Sequence, residues 1–228
     1  SLADNKLSSL EHLGDLKLLE DLNLRGNVVS SLQAISSLIK VKTLDLGGNQ
    51  VFDLSPIGQM VYLSVLYAED NNFSDISALG NLNGLKEINL SNNKIQDLSG
   101  FSKVAEGRSY LWLADFSRNE VTSLQGIETL NNLRILALSQ NSISDLSPLS
   151  QMSELSTLLI DFNQVSVLAP IKDLGNLRGL YANNNLLAED LSVIEMNQLA
   201  ELYIYDNNMT DSRKVEIQDA LPSVRIEF

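Results

Sequence analysis

Leu136-Ala-Leu138-Ser-Gln-Asn141-Ser-Ile143-Ser-Asp145-Leu146-Ser-Pro148-Leu149 decides the architecture. Two leucines alternate with small residues, an asparagine follows, and an apolar arm leads away from it. The asparagine recurs at Asn5, Asn27, Asn49, Asn71, Asn93, Asn119, Asn141, Asn163, Asn185 and Asn207. Every interval is 22 residues except the one from Asn93 to Asn119, which is 26. Self-similarity at this period describes a stack of small units, each burying its apolar face against the next.

The spelling of the unit follows from its chemistry. Leu136 and Leu138 are two apart, so both point to one face of a short strand. Asn141 then turns the chain; its side chain offers one acceptor and two donors. Ten such residues in register predict an asparagine ladder that satisfies turn backbone inside the stack. Beyond the asparagine, Ile143, Leu146, Leu149, Met152 and Leu155 recur every third position. That spacing suits a 3₁₀ turn or an extended arm, because an α-helix would rotate such a face away at 3.6 residues per turn. Asp53, Asp75, Asp97 and Asp145 each stand four residues after a ladder Asn. A short acceptor there can bond the free N–H groups that open a 3₁₀ turn. Pro56, Pro148 and Pro170 fall three residues later, where a fixed φ suits the turn.

Composition narrows the classes of function. The chain has 228 residues, 44% of them hydrophobic, which is ample for a continuous core. Its formal charge of −13 argues against nucleic acid and against an anionic membrane surface as partner. With no cysteine there are no disulfide caps, no Cys-zinc sites and no thiol nucleophile. No run approaches the ~20 apolar residues of a membrane span. The single histidine, His12, lies on a convex arm with no catalytic neighbours, and no residue set suggests catalysis, a metal or a cofactor.

Read in order, residues 1–209 form the repeat array and residues 210–228 a closing cap. The array opens in mid-unit, so Leu2, Leu7, Leu10 and Leu13 read as an uncovered apolar end. An N-terminal cap is therefore expected to be missing or truncated. Four extra residues, Ala105–Arg108, precede the fifth strand and predict a helical lengthening of that convex arm around Gly100–Gly107. In that strand Ala114 and Phe116 exchange small for large and conserve volume. Thr210 or Asp211 starts a helix over Asp211–Ala220 that Leu221-Pro222 ends, and Val224–Phe228 alternates like a last strand.

Strand residues six, four and two places before each ladder Asn face away from the core, in rows about 4.8 Å apart from strand to strand. Apolar and aromatic residues gather in the second half of these rows, and such a patch usually marks an interface. The candidate partner-binding set is Val65, Tyr67, Leu113, Asp115, Ile135, Leu159, Asp161, Tyr181, Tyr203 and Tyr205. Tyr181, Tyr203 and Tyr205 are expected to form one platform beside Leu159, bordered by the acidic Asp161 and Glu201. Arg225 reads as the continuation of the middle row after Tyr203.

The 22-residue unit with its N-x-I-x-D-L-x-P-L arm, as in Asn141–Leu149, resembles the leucine-rich repeats of bacterial internalin-type surface proteins, over about nine units from Leu2 to Met209. The resemblance implies an α/β-type leucine-rich repeat solenoid. It would have a curved parallel sheet on the concave face, 3₁₀, short-helical or extended convex arms, and here a C-terminal helix-strand cap. It further implies a secreted or surface-held bacterial protein that is not an enzyme and that binds a protein ligand on the concave sheet, as a monomer. Short, cysteine-poor repeats also occur in cytosolic regulatory proteins. A cytoplasmic regulatory or scaffold domain of a larger enzyme or signalling protein is therefore the alternative.

Overall fold

A computed structural model describes residues 1–104 and 109–228. Ten three-residue strands form one open sheet in strict sequence order, every neighbouring pair parallel. They are β1 (Asp21–Asn23), β2 (Thr43–Asp45), β3 (Val65–Tyr67), β4 (Glu87–Asn89), β5 (Leu113–Asp115), β6 (Ile135–Ala137), β7 (Thr157–Leu159), β8 (Gly179–Tyr181), β9 (Glu201–Tyr203) and β10 (Arg225–Glu227). In β2 through β7 the central residue is buried and both flanks are half-buried, as period-two alternation over a one-sided core requires. The convex arms turn through 3₁₀ segments, not α-helices, in keeping with apolar residues at every third position. One hydrophobic cluster runs unbroken from Leu10 to Val224.

The buried asparagines hold adjacent turns together. Asn163 Nδ2 donates to Ile160 O at 3.1 Å within its own turn and to Leu138 O at 3.0 Å in the preceding one. Its Oδ1 accepts the Ile143 N–H at 2.9 Å. Asn49, Asn71, Asn185 and Asn207 make the same three-way connection. Asn93 keeps the donor half, while its buried Oδ1 has no partner among the described residues. The residue before each of these asparagines turns with positive φ. Gly26 and Gly48 suit that conformation, whereas Arg118 (57°), Gln140 (58°) and Phe162 (55°) adopt it against their side chains.

Asp53, Asp75, Asp97 and Asp145 accept the N–H of the serine two residues on, at 2.8, 2.7, 2.9 and 2.8 Å, and so open the 3₁₀ turns. The Ser147 hydroxyl and backbone N–H hold the Asp145 carboxyl below its ordinary value. Prolines occupy the first positions of the turns at Ser55–Ile57, Ser147–Leu149 and Ala169–Ile171.

Three expectations change. The arm before the long interval is a five-residue 3₁₀ segment, Ser99–Lys103, rather than α-helix, and residues 105–108 of the predicted lengthening lie outside the described residues. Register is nevertheless kept across the interval, with Glu87 opposite Leu113. Phe116 fills the space beside Ala114 and meets Phe101 edge-to-face at 5.9 Å. At the first repeat, Leu10 is buried and Leu7 and Leu13 are half-buried, because the arm folds onto the next repeat; Leu2 alone of the four is exposed. Finally, helix α1 (Asp211–Ala220) starts at Thr210, whose hydroxyl accepts the Arg213 N–H at 3.3 Å, and buries Ile217. The helix lengthens the path to β10, so Arg225 sits opposite Glu201, and Glu227 continues the row of Tyr203.

Candidate binding face

The sheet register brings part of the candidate set together and separates the rest. Leu159, Tyr181 and Tyr203 are direct partners on β7, β8 and β9, with Ala137 of β6 continuing the line. Leu113 and Ile135 pair in the neighbouring row on β5 and β6. All of these side chains are half-buried. Val65 and Tyr67 stand apart from this strip, because Glu87 and Asn89 of β4 intervene. Asp115 is turned onto its own strand and accepts the Ser117 N–H at 2.8 Å.

The tyrosine pair is the stacked aromatic contact of the face. The rings of Tyr181 and Tyr203 lie parallel, 4.8 Å apart with 10° between planes, a geometry that contributes about 0.5–1.5 kcal/mol beyond area burial. Gly179, two residues before Tyr181, makes room for it: a Cβ there would stand 3.3 Å from the Tyr181 ring. The Tyr181 hydroxyl donates to Glu201 Oε2 at 2.7 Å. That hydrogen bond, with burial and the Glu201 charge, pushes the phenol up to about 12. On the other side of the pair the Arg225 guanidinium lies over the Tyr203 ring at 5.7 Å, within cation–π range.

Tyr205 lies beyond the end of β9, 38% exposed, and makes no ring contact with the pair; its N–H donates to Asn183 Oδ1. The expected single platform of three tyrosines is therefore a stacked pair with a separate, more exposed third ring. The expected acidic border is also engaged within the fold. Glu201 receives the Tyr181 hydroxyl, and Asp161 Oδ1 receives both the N–H and the amide group of Asn183, at 2.9 and 2.7 Å. Both carboxylates thus orient other residues of the face.

Sequence reasoning missed the Tyr–Glu bonds, although their spacing is written twice. Tyr67 donates to Glu87 at 2.8 Å as Tyr181 does to Glu201, and both glutamates come 20 residues after their tyrosine. An offset two short of the repeat places a middle-row residue diagonally beside the first row of the next strand. Among the described residues no group of three His, Asp or Glu side chains is disposed to hold a metal ion, and no helix is long and apolar enough to cross a membrane.

An open parallel sheet, 3₁₀ arms and asparagine-bridged turns define a leucine-rich repeat solenoid, with an internalin-like unit. The family model for leucine rich repeats (two copies) matches residues 63–103. An internalin (inlF) of Listeria monocytogenes superposes with a TM-score of 0.90 at 26% identity, over 99% of this chain and 68% of its own. Internalin C2 (inlC2) of the same species gives 0.75 at 25% identity, over 81% of this chain and 80% of its own. A leucine-rich repeat protein of Leptospira interrogans gives 0.92 at 26% identity; it covers the whole chain, which spans only 59% of that protein. No curated protein sequence matches the chain. In fold and repeat type the chain resembles the bacterial internalin-like leucine-rich repeat proteins.

Proposed function

We propose that the chain is a non-enzymatic protein-binding module that recognises its partner on the concave sheet, in the strip Leu159–Tyr181–Tyr203. The observation that carries this reading is the stacked, half-buried tyrosine pair, held by Glu201 at the Tyr181 hydroxyl and by Arg225 over the Tyr203 ring. Rigid aromatic surface of this kind supplies contact area with little conformational entropy left to lose, and tyrosine is enriched among the residues that dominate interface energy. Leu113, Ile135 and Leu159 extend the apolar area, while Tyr205 and Asp161 lie at its border. Likeness to the Listeria internalins supports a bacterial surface or secreted setting, where the chain would engage a protein ligand as a monomer.

The test is affinity capture with the intact chain, followed by titration of the captured partner against Tyr181→Ala/Tyr203→Ala. Binding should weaken by about 2 kcal/mol or more, the cost of removing central hot-spot residues. The melting temperature should fall only modestly, because the ring stack and the Glu201 bond are lost but neither side chain belongs to the leucine core. Unchanged affinity would place the site elsewhere.

A further inference from the structure

A second surface lies along the edge at which the strands begin. Trp112 N–H donates to Lys86 O at 2.9 Å, and Arg134 N–H donates to Trp112 O at 2.9 Å. Lys86, Trp112 and Arg134 therefore hold one position in three successive repeats, the backbones of the two cationic residues about 9.6 Å apart at two strand spacings. Trp112 is the only tryptophan of the chain and is 39% exposed. The same position elsewhere carries Glu20, Lys42, Ser64 and Ser156, so the core does not require an aromatic there. Two residues upstream on this edge, Tyr62 and Tyr110 are 60% and 64% exposed, with Gly84 as the intervening repeat's equivalent.

The cations are what give this edge a direction. Lys42, in the same row, is paired with Glu20 at 2.7 Å, and Arg178 donates to the carbonyls of Gly175 and Leu177. Among the described residues Lys86 and Arg134 pair with no carboxylate, and neither lies over an aromatic ring. Glu87, beside Lys86 in sequence, is occupied by the Tyr67 hydroxyl. On a chain of charge −13 this is a local basic and aromatic surface. Screening over about 8 Å lets a short anionic segment respond to the local cations. A membrane or a nucleic-acid duplex would extend over the acidic remainder and be repelled.

We propose that this edge is a second docking site, for an extended acidic peptide segment with two carboxylates four residues apart and an apolar residue midway between them. Alternate residues of an extended chain share a face and four residues span roughly 13 Å, which the long side chains of Lys86 and Arg134 reach from neighbouring backbone positions while the apolar residue seats on Trp112. The site is independent of the tyrosine strip.

Trp112 reports on it directly, because its fluorescence is the whole tryptophan signal of the chain. Titrating the protein with a synthetic peptide of that pattern should give a saturable emission shift. Lys86→Glu/Arg134→Glu should weaken binding about tenfold or more. Trp112→Ala, followed by anisotropy of a labelled peptide, should do the same. Tyr181→Ala/Tyr203→Ala should leave peptide affinity unchanged, and a peptide with lysines in place of the carboxylates should not bind. Thermal melts establish that each variant is folded. No saturable shift, or equal affinity in the charge-reversed variant, would overturn the proposal. So would stronger binding to anionic phospholipid vesicles than to the peptide, or self-association that buries Trp112 without peptide.

Discussion

The two halves of the sheet face are built on the same frame and treat their polar groups differently. In the middle outward row, at the last residue of β1, β2, β4 and β5, stand Asn23, Asp45, Asn89 and Asp115. Each accepts the N–H of the residue two further along the chain, just past its strand, at 3.0, 3.0, 3.0 and 2.8 Å. Arg25 reaches across Gly47 to Glu69, with Asp45 also near at 3.8 Å. A Cβ at Gly47 would fall 2.5 Å from the arginine, so the glycine is what lets this bridge lie flat. In the same row β6 to β9 carry Ala137, Leu159, Tyr181 and Tyr203, which leave apolar surface instead. The leucines and asparagines beneath continue through both halves. The frame is therefore indifferent to what its outer rows display, and binding can be placed on one half without disturbing the other.

The largest expected effect should be common to both halves. Asn163→Leu and Asn71→Leu each remove four hydrogen bonds from buried turns and should each cost roughly 1–3 kcal/mol in denaturant melts. Ser142→Ala, beside Asn141, should stay within about 0.5 kcal/mol. A large cost in one half and none in the other would show that the frame is not shared.

The glycines divide the halves more finely. Gly47→Ala displaces a partly exposed arginine and should cost no more than about 1 kcal/mol of stability, with partner affinity unchanged. Gly179→Ala crowds the Tyr181 ring and should weaken partner binding more than it lowers the melting temperature. If both variants behave alike in a binding titration, the tyrosine strip is not the site.

Relief of backbone strain should be smaller and of opposite sign. Gln140→Gly and Phe162→Gly remove side chains from left-handed conformations and should raise stability by about 1 kcal/mol or less, measured by chemical denaturation. The loss of chain entropy that glycine brings sets that ceiling.

The least effect concerns alkaline pH. The Tyr181 phenol is raised from 10.0 to about 12 in the fold, so the fold favours its neutral form. Its contribution is present in full below pH 10 and is lost as pH rises towards 12. The melting temperature of the native chain should fall more across that window than that of Tyr181→Phe. Tyr67, raised by the same kind of bond to Glu87, should show the same direction in the first half. Parallel pH profiles for native and Tyr181→Phe would mean that the Glu201 bond adds nothing to stability.

The architecture was legible in the sequence because each repeat restates it. Leucines two apart, an asparagine every 22 residues and apolar arms of period three give the strand, the turn and the 3₁₀ arm without any long-range information. The same period assigned the outward rows of the sheet, and Leu159, Tyr181 and Tyr203 are partners in space as their spacing implies. What only the tertiary structure decided lies between repeats or outside the period. Helix α1 breaks the count and puts Arg225 opposite Glu201, from where its guanidinium covers Tyr203. The packing of β8 against β9 decided that Tyr181 and Tyr203 stack while Tyr205 stands apart. The fold of the first arm buried Leu10. The physical reason is one of range. Periodicity records which way a side chain points from its own strand, whereas ring stacking, cation–π contact and side-chain hydrogen bonding depend on distances between strands that no single repeat contains.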